Sequence, residues 1–189
     1  MSKTIPKVLA AAVVAVGTLA PMAVVSPALA AIAPNGQIAY VAWGPSTVPF
    51  GPPEQQDIWV MNHDGSGAVN VTATSDVDEF SPVWSPDGSR IAFISDSFTR
   101  TLSVMNADGT GRTEVTSGAL DPSWGPDGAR IAVMKEREGL AAAVVIVDVA
   151  TGAETVVTEN ATMEPVWSPA GSTIAFVDVR PEMYPDPVT

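Results

Sequence analysis

Asp76, Asp78 and Glu79 place three carboxylates within four residues. Such a group has the oxygens that Ca²⁺ asks for, a hard cation taking about six to eight of them. Asp76 and Asp78 are also the pair from which general acid and base work on a glycoside would be built. Neither chemistry is favoured by the spacing: no EF-hand pattern surrounds the group, and carboxylates two residues apart in a loop are a weak arrangement for acid and base. The group reads as a solvated acidic loop that requires no metal or other cofactor. His63 is the single histidine, sits inside a turn motif and has Ala107 as its repeat counterpart, so it reads as a turn residue rather than as a base or ligand. The chain has no cysteine, which excludes thiol chemistry and thiolate metal sites. It also lacks the Gly-x-Ser-x-Gly elbow of a serine hydrolase, and its Gly pairs follow Asp at hairpin tips instead of opening a helix around a phosphate.

The elements that position these residues announce themselves by repetition. Val83-Trp84-Ser85-Pro86-Asp87-Gly88 returns as Ser123-Trp124-Gly125-Pro126-Asp127-Gly128 and as Val166-Trp167-Ser168-Pro169-Ala170-Gly171. The three tryptophans lie 40 and 43 residues apart, the period of a four-stranded propeller blade. A second motif keeps step with the first: Asn62-His63-Asp64-Gly65-Ser66-Gly67 recurs as Asn106-Ala107-Asp108-Gly109-Thr110-Gly111 and, in decayed form, as Asp148-Val149-Ala150-Thr151-Gly152.

Within a repeat, the Pro of Ser85-Pro86-Asp87-Gly88 presets φ for the second position of a type I turn and Gly takes the positive φ that follows. The β-rich run Ile91-Ala92-Phe93-Ile94 makes this a hairpin. Leu102-Ser103-Val104-Met105 is the third strand, Asp108-Gly109 the next tight reversal, and Thr113-Glu114-Val115-Thr116 a polar outer strand. The inner strands alternate too little for one face to be wet, so neighbouring blades are expected on both sides of them. The fold class is therefore all-β, a propeller of four-stranded antiparallel blades numbering about three and a half. The repeats cover about residues 31–74, 80–117, 121–158 and 163–179, before a Pro-rich tail at 180–189. Trp59, Trp84, Trp124 and Trp167 fall on strand positions and are expected to pack between blades. Propellers close their edges in a ring of typically about four to eight blades, so the open blade faces call for a cover: a second copy of the chain, a partner, or further residues.

At these motifs the chain resembles the TolB-type propeller repeat, a relative of the WD repeat found in the periplasmic protein TolB and in the propellers of prolyl-oligopeptidase-like enzymes. The resemblance spans roughly residues 31–179. It implies the propeller fold, an architectural role for the Trp, Pro, Asp and Gly positions, and at most a role in the cell envelope. Ala170 stands where the pattern has Asp, and the chain has fewer than the six blades that TolB carries.

Ahead of the repeats, Lys3 and Lys7, an apolar run over residues 8–25 and Ala28-Leu29-Ala30 read as a secretory signal peptide covering residues 1–30. Gly17 and Pro21 interrupt the run, which argues against a stable membrane span. The expected location is outside the cytoplasm, periplasmic or extracellular and cell-wall associated. Net charge is −12, and removal of Lys3 and Lys7 with the signal lowers it by two more. That surface repels nucleic acid.

In a propeller, the loops joining second to third strands and one blade to the next leave from one end, and both turn motifs leave from the other. The first end collects Trp43 and Phe50 in a Pro- and Gly-rich insertion, then Asp76, Asp78 and Glu79, then Asp96. Variable loops on a rigid scaffold are where binding concentrates. These six residues are the candidate partner-binding face of a non-enzymatic exported scaffold whose partner is a protein or an envelope component. The alternatives are a propeller piece of a peptidase or carbohydrate-active enzyme, or a truncated gene product.

Overall fold

The computed structural model describes residues 31–32, 36–43, 55–136, 142–159 and 162–178. Residues 1–30, expected to be a signal peptide, Phe50 and the Pro-rich tail lie outside them. Fourteen strands and no helix occur among the described residues. β1 (Ala31–Ile32), β2 (Gln37–Trp43), β3 (Gln56–Asn62) and β4 (Val69–Asn70) form blade 1 in that order. β5 (Asp78–Trp84), β6 (Arg90–Asp96), β7 (Arg100–Asn106) and β8 (Thr113–Ser117) form blade 2. β9 (Ala119–Trp124), β10 (Arg130–Lys135), β11 (Ala143–Asp148) and β12 (Glu154–Thr158) form blade 3, and β13 (Thr162–Trp167) pairs with β14 (Ile174–Asp178) in a two-stranded blade 4. Every pairing is antiparallel between sequence neighbours, as expected of hairpin-connected blades.

The period-two alternation of a strand distributes the core between blades. Ile91 and Phe93 turn toward blade 1, where they meet Ala39, Val41, Ile58 and Val60 together with Trp84 and Met105. Ala92 and Ile94, one residue out of phase on β6, turn toward blade 3 and meet Trp124, Ile131 and Val133. All four of these β6 residues are wholly buried, which is why the strand reads as one continuous apolar run. Across the second junction the Trp124 indole N–H donates to the Val83 carbonyl at 3.2 Å. The Arg90 guanidinium lies 4.9 Å from the centroid of the Trp124 ring and donates to the Gly128 carbonyl. Arg130 repeats the arrangement over Trp167 at 5.3 Å.

The innermost strand of blades 2, 3 and 4 carries a bulge at one repeated position. Register slips between Phe80 and Val83 in β5, between Leu120 and Ser123 in β9, and between Met163 and Val166 in β13. The residue ahead of the proline sits at positive φ each time, Ser81 at 53°, Asp121 at 49° and Glu164 at 51°. Pro82, Pro122 and Pro165 have no N–H to give a ladder, so a bulge is where a strand tolerates them.

The turn aspartates are held as carboxylates. Ser85 Oγ donates to Asp87 Oδ1 at 2.6 Å, and Ser89 adds its hydroxyl and its backbone N–H. These bonds bring the Asp87 pKa down to about 2, the Ser85 hydroxyl foremost. Asp64, Asp108 and Asp148 are lowered in the same sense by the hydroxyls of Ser66, Thr110 and Thr151, and Asp127 by the Ala129 backbone N–H. A folded-state pKa below the unfolded value of 3.8 stabilises the fold above that pH, and the contribution disappears as pH falls from 3.8 toward about 2. The urea midpoint is therefore expected to drop between pH 5 and pH 2.5, and Asp87→Asn should lose part of that drop. An Asp87→Asn protein with the full pH response would refute the assignment.

Candidate functional site

Meander order puts the ends of β2, β6 and β10, the starts of β3, β7 and β11, and the starts of β5, β9 and β13 at one end of the molecule. Contacts there confirm the grouping. The Gln56 N–H at the start of β3 donates to Asp78 Oδ1 at the start of β5, at 2.9 Å. Arg100 at the start of β7 bridges Asp96 at 3.5 Å and Glu136, just past β10, at 3.0 Å. The Glu136 N–H donates to the Gly118 carbonyl between blades 2 and 3.

Trp43 closes β2 rather than standing in the insertion, paired in register with Gln56, and is 48% exposed. The strand continues three residues, Val41 to Trp43, into the segment 41–56 that its Pro- and Gly-rich composition marked as the insertion. Asp76 is exposed in the connection before β5, and Asp78 pairs in register with Asp96, with which it shares the loop end. Phe98, at the tip of the β6–β7 loop beside Asp96, is completely exposed. Sequence reasoning passed over it, although an aromatic residue among Ser97, Thr99 and Arg100 carries the same signal that singled out Trp43 and Phe50.

Glu79 goes elsewhere. One residue out of phase with Asp78, its side chain turns inward and is completely buried between blades 1 and 2. Arg112 Nη1 donates to Glu79 Oε1 at 2.7 Å, and Arg112 Nη2 donates to Ser95 Oγ at 3.0 Å. The Ser95 and Ser103 hydroxyls share a 2.9 Å bond, and the guanidinium lies 5.0 Å from the centroid of the Phe93 ring. The Thr74 hydroxyl lies 3.0 Å from both Glu79 oxygens, while the Thr74 N–H donates to buried Asp57. Burial raises the Glu79 pKa, with Arg112 and Thr74 pulling the other way. This is a structural lock behind the loop end: the ion pair ties β5 to the β7–β8 hairpin within blade 2, and Thr74 connects it to Asp57 of blade 1.

Toward the axis, the bulged inner strands enclose a groove of about 670 Å³ lined by Trp84, Pro86, Asp121, Trp124, Glu164 and Val166. The Glu164 N–H donates to Asp121 Oδ2 at 3.4 Å, so one of the two carboxylates already serves the backbone. Among the described residues no group of three or more His, Cys, Asp or Glu side chains is placed to hold a metal ion.

Solved structures share this architecture. TolB from Acinetobacter baumannii superposes with a TM-score of 0.64 at 20% identity, over 78% of this chain and 36% of that one. A putative TolB from Agrobacterium tumefaciens gives 0.68 at 22% identity over 84% and 56%. The β-propeller domain of the Trilobed protease from Pyrococcus furiosus gives 0.62 at 15% identity over 90% and 53%. At such identities the likeness is one of fold, and the chain spans between 36% and 56% of the length of these three proteins. No curated protein matches the chain by sequence. The family model of the TolB beta propeller domain matches residues 51–182, which is more than half of the sequence, and the chain belongs to that family.

Proposed function

We propose that this protein is an exported, non-catalytic TolB-type propeller that binds a protein or cell-envelope component through its loop end. The observation that carries this reading is the pairing of exposed aromatic side chains, Phe98 completely and Trp43 by half, with an acidic rim of Asp76, Asp78, Asp96 and Glu136 on a rigid scaffold. Aromatic anchors ringed by polar groups supply most of the energy in protein interfaces, and acidic rims favour partners presenting Lys or Arg. Phe50, outside the described residues, belongs to the same proposed surface. Export rests on the first thirty residues and predicts a secreted form beginning at Ala31, which N-terminal sequencing reads directly.

The test compares envelope proteins cross-linked to the wild type with those cross-linked to Phe98→Ser, Trp43→Ser and Asp78→Ala. Val69→Ser serves as control, since Val69 is 57% exposed on the outer strand β4. Loss of the same cross-linked species from the three loop-end variants, at least tenfold and with unchanged urea midpoints, is the expected result. Equal cross-linking by all four variants would remove the loop end from consideration.

A further inference from the structure

The groove on the axis side carries charge that nothing in the protein neutralises. Asp121 and Glu164 are its two acidic lining residues, and no Lys, Arg or His lines it. Elsewhere exposed acids are matched: Arg100 joins Asp96 and Glu136, Arg130 joins Asp127, and Lys135 joins Glu154. Among the described residues no ion pair reaches Asp121 or Glu164. The Glu164 N–H occupies one Asp121 oxygen at 3.4 Å, which leaves the other oxygen and the whole Glu164 carboxylate to a ligand. The repeat does not ask for these acids. Ser81 holds the same bulge position in blade 2, and the left-handed backbone there suits Asp but gives Glu no advantage. Two neighbouring carboxylates disfavour each other's charge until a cation stands between them, and a concave, apolar wall concentrates their field.

The walls narrow the class of cation. Trp84, Trp124, Pro86 and Val166 line a volume of about 670 Å³ with apolar surface, and Val166 is 56% exposed there. A metal ion such as Ca²⁺ takes about six to eight oxygens, and among the described residues no three acids are placed to supply them. An alkylammonium suits both parts of the groove. Its methylenes lie along proline and indole surface, as a lysine stem lies along apolar side chains. Its N–H groups make charge-assisted bonds to the two carboxylates. We infer that the groove is a second binding site, separate from the loop end, which takes a primary ammonium on an aliphatic stem through Asp121 and Glu164. A lysine side chain of a peptide and a free diamine both offer that chemistry.

The test titrates the purified protein with 1,5-diaminopentane and, separately, with N-acetyl-lysine methylamide. Tryptophan fluorescence follows the binding, since Trp84 and Trp124 line the groove, and calorimetry gives its stoichiometry. Saturable one-to-one binding is expected. Glu164→Gln and Asp121→Asn should each raise the dissociation constant at least tenfold, and Glu114→Gln, an exposed acid on β8, should leave it unchanged. Pentan-1-ol has the stem without the charge and ammonium chloride the charge without the stem, so neither should compete. Tighter binding of the lysine derivative assigns the site to a peptide side chain, and tighter binding of the diamine assigns it to a free polyamine. Absence of saturable binding by both probes overturns the proposal, as does binding that Glu164→Gln and Asp121→Asn leave unchanged. Glu164 is exposed, so its variant carries the test should Asp121→Asn shift the urea midpoint. None of the loop-end residues tested by cross-linking lines the groove, so the two results stand or fall separately.

Discussion

Arg112→Ala is expected to lower the unfolding free energy by about 3 to 5 kcal/mol at pH 7, the cost of leaving a buried charge without its partner. Glu79 is completely buried and Arg112 is the cation that reaches it, at 2.7 Å. The same guanidinium serves the Ser95 hydroxyl and covers the Phe93 ring, so the substitution also removes packing within blade 2. The pH dependence separates these losses. Burial already lifts the Glu79 pKa above 4.5, and without Arg112 it rises further. A carboxyl with a raised folded-state pKa stabilises below its unfolded pKa and loses that contribution as pH rises through the folded value. The deficit of Arg112→Ala should accordingly be larger at pH 7 than at pH 4.5, and Glu79→Gln added to Arg112→Ala should recover part of it at pH 7. Urea titrations at the two pH values measure both effects. A deficit below about 1 kcal/mol at pH 7, the range of exposed pairs, would mean that the pair is solvated and the lock does not exist.

Which of these features could be read from the chain depends on whether the repeat or a single residue encodes them. The blades follow from the Trp-to-Gly turns because each turn is a local backbone solution that needs no knowledge of its neighbours. Burial of Ile91 through Ile94 on both sides follows from the same repeats, since a strand with no polar face has to be covered twice. The bulge was written in the sequence as well, in Ser81-Pro82, Asp121-Pro122 and Glu164-Pro165, each two residues ahead of its tryptophan, but the signal lies in the proline rather than in hydrophobicity. Glu79 was harder. A run of acids looks like one solvated loop, and only the start of β5 at Asp78 fixes the phase that sends Asp78 out and Glu79 in. Arg112 had no repeat signal at all, for Ala68 and Ala153 stand at its counterparts, and its partners Glu79 and Ser95 are distant in sequence. Phe98 is likewise unique to its blade. The repeats thus encode the scaffold, whereas the lock and the loop end rest on residues that depart from the repeat.

Gly109→Ala and Gly65→Ala alter the same turn motif in successive blades, and the first is expected to be the more damaging by a wide margin. Both glycines sit at nearly equal positive φ, 85° for Gly109 and 84° for Gly65, so each alanine incurs about 1 to 2 kcal/mol for entering the left-handed region. At Gly65 nothing lies within 4 Å of the added Cβ. At Gly109 that Cβ would stand 2.3 Å from the Val71 carbonyl oxygen and 3.2 Å from Val71 Cβ. Val71 has little room to retreat, because its N–H is bonded to the Ile58 carbonyl and its side chain packs with Ala107 against the core between blades 1 and 2. Overpacking of this kind adds about 1 to 3 kcal/mol, with backbone against backbone placing it at the upper end, for a total near 4 kcal/mol. Urea unfolding of both variants followed by circular dichroism gives the two losses, and their difference isolates the approach of the blade 2 hairpin to blade 1. Equal losses would show that the hairpin can lift away from Val71 at no cost, in which case this contact does not help to hold the first two blades together.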